Sequence, residues 1–224
     1  MAPKKAPDQR LSRDEIVLVA RRLLADGGVE GLTMRRLGEA CGVKGPALYW
    51  HFKDKHELLG HLVDSVVAEL DSGTEDQPWT ERLLVLGRSA RSLMIQHPGI
   101  ATVAAGGYSL PERVLGGIDA MVAALTAAGF SHRQALTIHF SVLTYTTGFV
   151  IYESSSPTFA ILATPLDAPE RPAARARYES LGADHFPHVA KVAGSFEELT
   201  VDEMFDQGLT AMIQGWADRL AEAR

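Results

Sequence analysis

Leu32-Thr33-Met34-Arg35-Arg36-Leu37-Gly38-Glu39-Ala40-Cys41-Gly42-Val43-Lys44-Gly45-Pro46-Ala47-Leu48-Tyr49-Trp50-His51-Phe52 is the stretch that decides the fold. Thr33 offers a side-chain oxygen to start a short helix that runs through Ala40. Gly42 marks a tight turn. Pro46 suits the first turn of a second short helix, ending near Phe52. Leu37, Ala40, Val43 and Leu48 are spaced to pack the two helices together. A pair held in this way is a helix-turn-helix, whose second helix is kept rigid for a DNA major groove. That groove admits one helix, and its base edges carry a distinct donor and acceptor pattern.

The side chains left outside suit a phosphate-lined surface. Thr33 can bind a phosphate oxygen and Arg35 a phosphate or a guanine edge, while Lys44, Lys53 and Lys55 supply charge. Tyr49 and His51 can hydrogen-bond phosphate, and Trp50 can lie against sugars. Contacts of this positioning kind dominate protein–DNA interfaces. Tyr49 and Trp50 equally suit an apolar core, His51 a structural role, and Cys41 a small buried site beside the turn.

Outward from this stretch the pattern is helical, with no strand alternation and no internal repeat. Ser12-x-x-Glu15, Asp54-x-x-Glu57, Ser109-x-x-Glu112, Ser131-x-x-Gln134 and Thr200-x-x-Glu203 each suit the cap of a first turn. The spacing predicts helices over about 12–26, stopping at Gly27-Gly28, and 54–70. Further helices are predicted over 78–96, 100–105, 111–128, 131–153, 173–181 and 201–223. Residues 71–76 and 154–172 are expected as loops, and 182–195 is ambiguous. The expected class is all-α, a three-helix helix-turn-helix head on a larger helical body. Its expected parts are a flexible basic arm at 1–10, a DNA-binding domain at 11–56 and a ligand-binding and dimerisation domain at 57–224.

Bulk properties agree. The chain has 224 residues, 46% hydrophobic and 22% charged, ordinary for a globular protein able to bury a core without disulfides. The single cysteine excludes an intrachain disulfide and gives no sign of secretion. No stretch resembles a signal peptide, and polar residues interrupt the longest apolar run, 135–152. The expectation is a cytoplasmic protein without a membrane span. The net charge of −6 is unevenly spread: residues 1–56 hold 11 Lys+Arg against 7 Asp+Glu, and the rest 11 against 21. A basic front of +4 before a body of −10 suits a polyanionic partner at the N-terminal end.

Gly28 to Leu37, Gly-Val-Glu-Gly-Leu-Thr-Met-Arg-Arg-Leu, followed by Leu48 to Lys55, Leu-Tyr-Trp-His-Phe-Lys-Asp-Lys, resembles the TetR family of bacterial transcriptional regulators. The likeness covers about Ser12 to Leu59. Beyond it, element order and the Ala-Ala-Gly-Phe-Ser run at 127–131 resemble the tetracycline repressor branch. The resemblance implies that Thr33, Arg35, Lys44, Pro46, Tyr49, Trp50, His51 and Lys55 face DNA. Gly45 and Ala47 stand where that branch has glutamine and threonine, so the operator should differ, although Ala47 can still touch a thymine methyl.

The resemblance also implies a homodimer built on the 131–153 helix and the last helix, and a small-molecule pocket among the middle helices. The last helix lines up Met204, Phe205, Leu209, Met212, Ile213, Trp216 and Leu220, with Gly208, Ala211 and Gly215 open to a close neighbour. Pocket candidates are Arg88, Met94, Val103, Ala104, Tyr108, Met121, His139, Phe140, Leu143, Thr144, Thr147 and Tyr152, each with a plain core reading. Leu86, Ala104, Met121 and Tyr152 stand where the tetracycline repressor holds its drug and magnesium. They lack the polar groups for a metal–tetracycline complex, so an apolar, aromatic effector is expected. No cofactor, metal or catalytic set is expected. Gly107-Tyr108-Ser109-Leu110-Pro111 misses a nucleophile elbow at its last position, and Asp184-His185-Phe186-Pro187-His188 is a weak metal motif.

Overall fold

The computed structural model describes residues 11–106, 108, 110–181 and 185–222. The expected basic arm at 1–10, the Gly107 and Ser109 positions of the elbow motif and Asp184 of the metal motif lie outside them. Among the described residues every regular element is a helix. The chain divides into two compact units: one takes the chain up to Leu70 with Ser92–Ala120, the other Asp71–Arg91 with Met121 onward.

The first unit begins with α1 (Arg13–Gly31), whose start is a complete capping box between Ser12 and Glu15. The helical backbone breaks within the expected Gly27-Gly28 stop. It kinks at Gly28, whose φ of 64° lies where only glycine rests without strain, and then resumes to Gly31. The carbonyls freed at that end are taken by cations: Lys55 Nζ donates to Val29 O at 2.9 Å and Arg36 Nη1 to Gly31 O at 2.8 Å. Side-chain cations satisfy terminal helix carbonyls and favour the negative end of the helix dipole.

Thr33 caps α2 (Met34–Ala40), its hydroxyl accepting from Arg36 N–H. The next element is a tight 3-10 helix, Gly45–Trp50, and not an α-helix to Phe52. Pro46 supplies no N–H, and Ala47 N–H closes a three-residue turn on Lys44 O at 2.8 Å. Leu37 and Leu48 are fully buried between the two elements, while Ala40, expected at the same contact, is exposed. Cys41, expected buried, is half-buried. Asp54 caps α3 (Lys55–Val67), which ends three residues before the expected Leu70. Ile16, Ala20, Leu24, Leu37, Leu48, Phe52, Leu58 and Leu62 form the core of this unit with Ile100 and Val103 from α5 (Ile100–Ala105).

The second unit uses the first part of α4 (Trp79–Gln96), the end of α6 (Glu112–Ala128), α7 (His132–Ser155) and α11 (Val201–Glu222). Ser131 and Gln134 form the expected capping box on α7, and Thr200 and Glu203 exchange the same bonds before α11. Tyr145 of α7 donates to Phe205 O at 3.0 Å and stacks on the Phe205 ring. A Cβ on Gly208 would strike the Tyr145 phenol. Gly208 therefore admits a close neighbour, as expected, and that neighbour is Tyr145 of α7. Arg91 lies against the edge-to-face Phe149 and Phe205 rings and pairs with Glu153 at 2.8 Å and Asp202 at 2.7 Å, joining α4, α7 and α11.

The expected 154–172 loop is partly helical. Pro157 opens α8 (Pro157–Leu162), and α9 (Glu170–Glu179) follows Pro169. These prolines sit where a helix tolerates them, before the first backbone bonds are made. The ambiguous segment holds α10 (Pro187–Lys191) and a 3-10 turn, Ala193–Glu197. Arg171 fastens this region. It is fully buried, and its guanidinium donates to the carbonyls of Leu162, Thr164, Pro165, Phe196 and Leu199 at 2.6–3.3 Å.

Candidate nucleic-acid interface and effector site

The sequence places its strongest chemistry on two elements of the first unit, and the structure leaves most of it exposed. Thr33, Arg35, Lys44, Pro46, Tyr49 and Trp50 are all exposed. Trp50 is 88% exposed and Tyr49 55%, so neither serves the core. Ala47 and His51 are half-buried, His51 closing the 3-10 helix with its N–H on Leu48 O. Lys55 is half-buried and held by Val29 O, so its charge is anchored at the α1 kink. Arg35 has one exposed ion pair, Glu39 one turn along its helix at 3.4 Å. Such a pair is weak and easily exchanged for a phosphate.

What fixes this surface is a crossing without side chains. A Cβ on Gly38 of α2 would lie 2.8 Å from Gly45 N and 2.9 Å from its Cα. The two backbones meet directly, and Val43 N–H closes the turn on Gly38 O at 2.9 Å. The glycines were visible in the sequence, but their opposition depends on the turn and no periodicity carries it.

The effector candidates fall into different settings. Met94, Val103 and Tyr108 pack on the core of the first unit, with Ala104 half-buried. Burial raises the Tyr108 phenol pKa above its ordinary value. In the second unit Arg88 is exposed and holds Asp206 through two bonds, at 2.9 and 3.0 Å. Met121 is buried. Along α7 the candidates separate. His139 and Thr147 are buried and Leu143 half-buried, whereas Phe140, Thr144 and Tyr152 are exposed. Phe140 and Thr144 line a shallow surface hollow with Leu136, Thr137 and Ser141. Exposed Leu136 and Ile151 extend this apolar face. By length and composition α7 is also the one described helix apolar enough to cross a membrane.

His139 is 4% exposed, and neither ring nitrogen has a hydrogen-bond partner among the described residues. Burial pushes its pKa below the ordinary histidine value. In the first unit His97 is also held low, by burial and by the Arg21 guanidinium at 2.7 Å, with Glu69 opposing. No cluster of three metal-binding side chains occurs among the described residues.

Comparison with known proteins gives two family matches. Residues 16–62 match the model for bacterial regulatory proteins of the tetR family, and residues 72–220 that for the tetracyclin repressor-like C-terminal domain. The chain is 30% identical over 214 residues to the tetracycline repressor protein class A from transposon 1721 of Escherichia coli, covering 94% of this chain and 92% of that protein. Among solved structures it is similar to the TetR family protein ActR of Streptomyces coelicolor in complex with actinorhodin, with a TM-score of 0.78 at 25% identity over 95% of this chain and 99% of ActR. A possible TetR family transcriptional regulator from Streptomyces coelicolor A3(2) gives a TM-score of 0.73 at 30% identity, covering 92% of this chain and 99% of that one.

Proposed function

The chain belongs to the TetR family of bacterial transcriptional regulators, and from that premise we propose that it is a cytoplasmic repressor, not an enzyme, released from its operator by a small molecule. The exposed Trp50 and Tyr49 carry this reading. Large aromatics left in water beside exposed Arg35 and Lys44 suit a partner that offers phosphates, sugars and base edges together. Arg35 reads a guanine or grips a phosphate, Lys44 neutralises phosphate, and Pro46 and Ala47 meet thymine methyls. Thr33, Tyr49, Trp50 and His51 hold the backbone in register. Lys55 contributes by fixing the end of α1 as well as by its charge.

One such head reads few bases, and a two-fold dimer doubles the site. The apolar outer face of α7, with Leu136, Phe140, Thr144, Ile151 and Tyr152, suits a second copy of this chain together with α11. Two heads ~34–36 Å apart meet successive major grooves on one side of the duplex. The effector acts by preferring a body conformation that does not hold that spacing, and only to the extent of its preference. Among the candidates on the body, Met121, His139, Leu143 and Thr147 suit its contacts.

ActR was solved with actinorhodin, and a largely apolar aromatic effector suits this chain as well. Selection from a random duplex pool at moderate salt tests the proposal. A two-fold symmetric site bound by two subunits is the expected result. A lone subunit, or a pool without enrichment, would overturn it.

A further inference from the structure

The buried face of α7 carries Ala135, Ile138, His139, Val142, Thr146, Thr147 and Val150. Two of its polar groups are left over. Both imidazole nitrogens of His139 and the hydroxyl of fully buried Thr146 lack partners among the described residues. Buried polar groups are normally satisfied, so each exception calls for a cause. Thr126, Thr137, Ser154 and Ser155 each donate to the carbonyl four residues back. The Thr146 hydroxyl forgoes that bond although it is shut away from water. Residues 139 and 146 are seven apart, so they share a helix face about 10 Å apart along the axis.

We propose that His139 and Thr146 are the polar anchors of the effector site, and that the effector is an uncharged, largely apolar molecule carrying a hydroxyl. This deepens the effector reading above and rests on it. A neutral imidazole offers one donor and one acceptor, which matches a hydroxyl that both gives and takes. A carboxylate is the poorer ligand. The buried cations of this unit are engaged elsewhere, Arg171 on five backbone carbonyls and Arg82 on Ser72 O. A buried anion without a paired cation is strongly disfavoured. Apart from Thr147, the remaining side chains of the face, Ala135, Ile138, Val142 and Val150, are aliphatic and suit an apolar body.

Three probes of one shape test the assignment: 2-naphthol, 2-methylnaphthalene and 2-naphthoate, titrated by calorimetry into the full-length protein. The unaltered protein should bind 2-naphthol about tenfold more tightly than 2-methylnaphthalene, with 2-naphthoate weakest, a buried hydrogen bond accounting for a difference of that size. His139→Leu should erase the preference for the hydroxyl. It should also raise the Tm of the free protein by about 2–4 °C, because an unsatisfied buried group has been removed. Thr146→Val, nearly the same shape, should raise Tm in the same direction. The inference is overturned if the preference is absent or survives in His139→Leu, or if no probe binds up to its solubility. It is equally overturned if either substitution lowers Tm or His139→Leu fails to fold, since the groups then serve the fold. Operator selection with the unaltered protein is a separate measurement, and its outcome stands whichever way these titrations fall.

Discussion

Arg35 and Arg171 show how differently the two units use the same side chain. Arg35 stands on the outside of α2, 83% of its side chain exposed, with one weak neighbour in Glu39. Arg171 lies wholly inside the second unit and spends its guanidinium on five backbone carbonyls. The contrast extends to their surroundings. Lys44 and Lys53 are exposed in the first unit, while Arg91 of the second lies against two rings and is doubly paired. An exposed cation is available to a polyanion, whereas a saturated one is part of the structure. Net charge alone therefore understates the difference between the units.

The largest expected effect comes from breaking the buried side of this contrast. Arg171→Leu strands several carbonyls at once, each costing about 1–3 kcal/mol when left unsatisfied. A stability loss of about 3 kcal/mol or more is expected in urea unfolding, and Arg171→Lys should recover only part of it, lacking the planar fork. A loss below about 1 kcal/mol would show that the clamp is not needed.

Gly38→Ala comes next. The new methyl meets the Gly45 backbone, so the 3-10 helix must shift. Overpacking of this kind costs about 1–3 kcal/mol, and operator affinity should fall with head stability. Wild-type affinity in this variant would show that the crossing is not what sets the recognition surface.

Arg35→Ala should leave stability within about 0.5 kcal/mol, as an exposed pair contributes little. It should nevertheless weaken operator binding by about 1–3 kcal/mol where the guanidinium meets a guanine. Loss of stability without loss of binding would reverse the roles assigned to the two arginines.

The smallest effect is a pH dependence. His97 and His139 both have folded pKa values below the ordinary 6.5. On acidification through that value the unfolded chain takes up protons first, so stability declines from about pH 6.5 downward until the folded groups also titrate. Above it these two residues contribute no slope. His97→Asn should flatten part of the decline, and an unchanged curve would remove His97 from the account.

Local signals made much of this fold legible. The caps at Ser12, Thr33, Asp54, Ser131 and Thr200 each open a helix because cap and partner lie within four residues. The misjudged places needed distant information. Gly28 was a sound place for α1 to stop, yet the helix resumes after the kink. Pro157 and Pro169 looked like breaks and instead stand at helix starts. Arg171 drew no notice, because its carbonyls come from segments up to 28 residues away. The candidate recognition residues could be grouped from sequence for the opposite reason: most of them lie on two short elements joined by one turn. The effector candidates were harder to place, since a helix of low polarity such as α7 shows in sequence which residues are apolar but not which face is covered. Phe140 and His139 are adjacent in the chain, yet one is exposed and the other buried.

The salt dependence of operator binding tests the division of cations most directly. Each phosphate-contacting cation removed from the first unit, Lys44→Ala foremost, should lower the slope of log affinity against log salt by about one. Arg88→Ala and Arg175→Ala, equally cationic but paired with carboxylates in the second unit, should leave the slope unchanged. Equal slopes for Lys44→Ala and the unaltered protein, or a shallower slope on losing Arg88 or Arg175, would contradict the account.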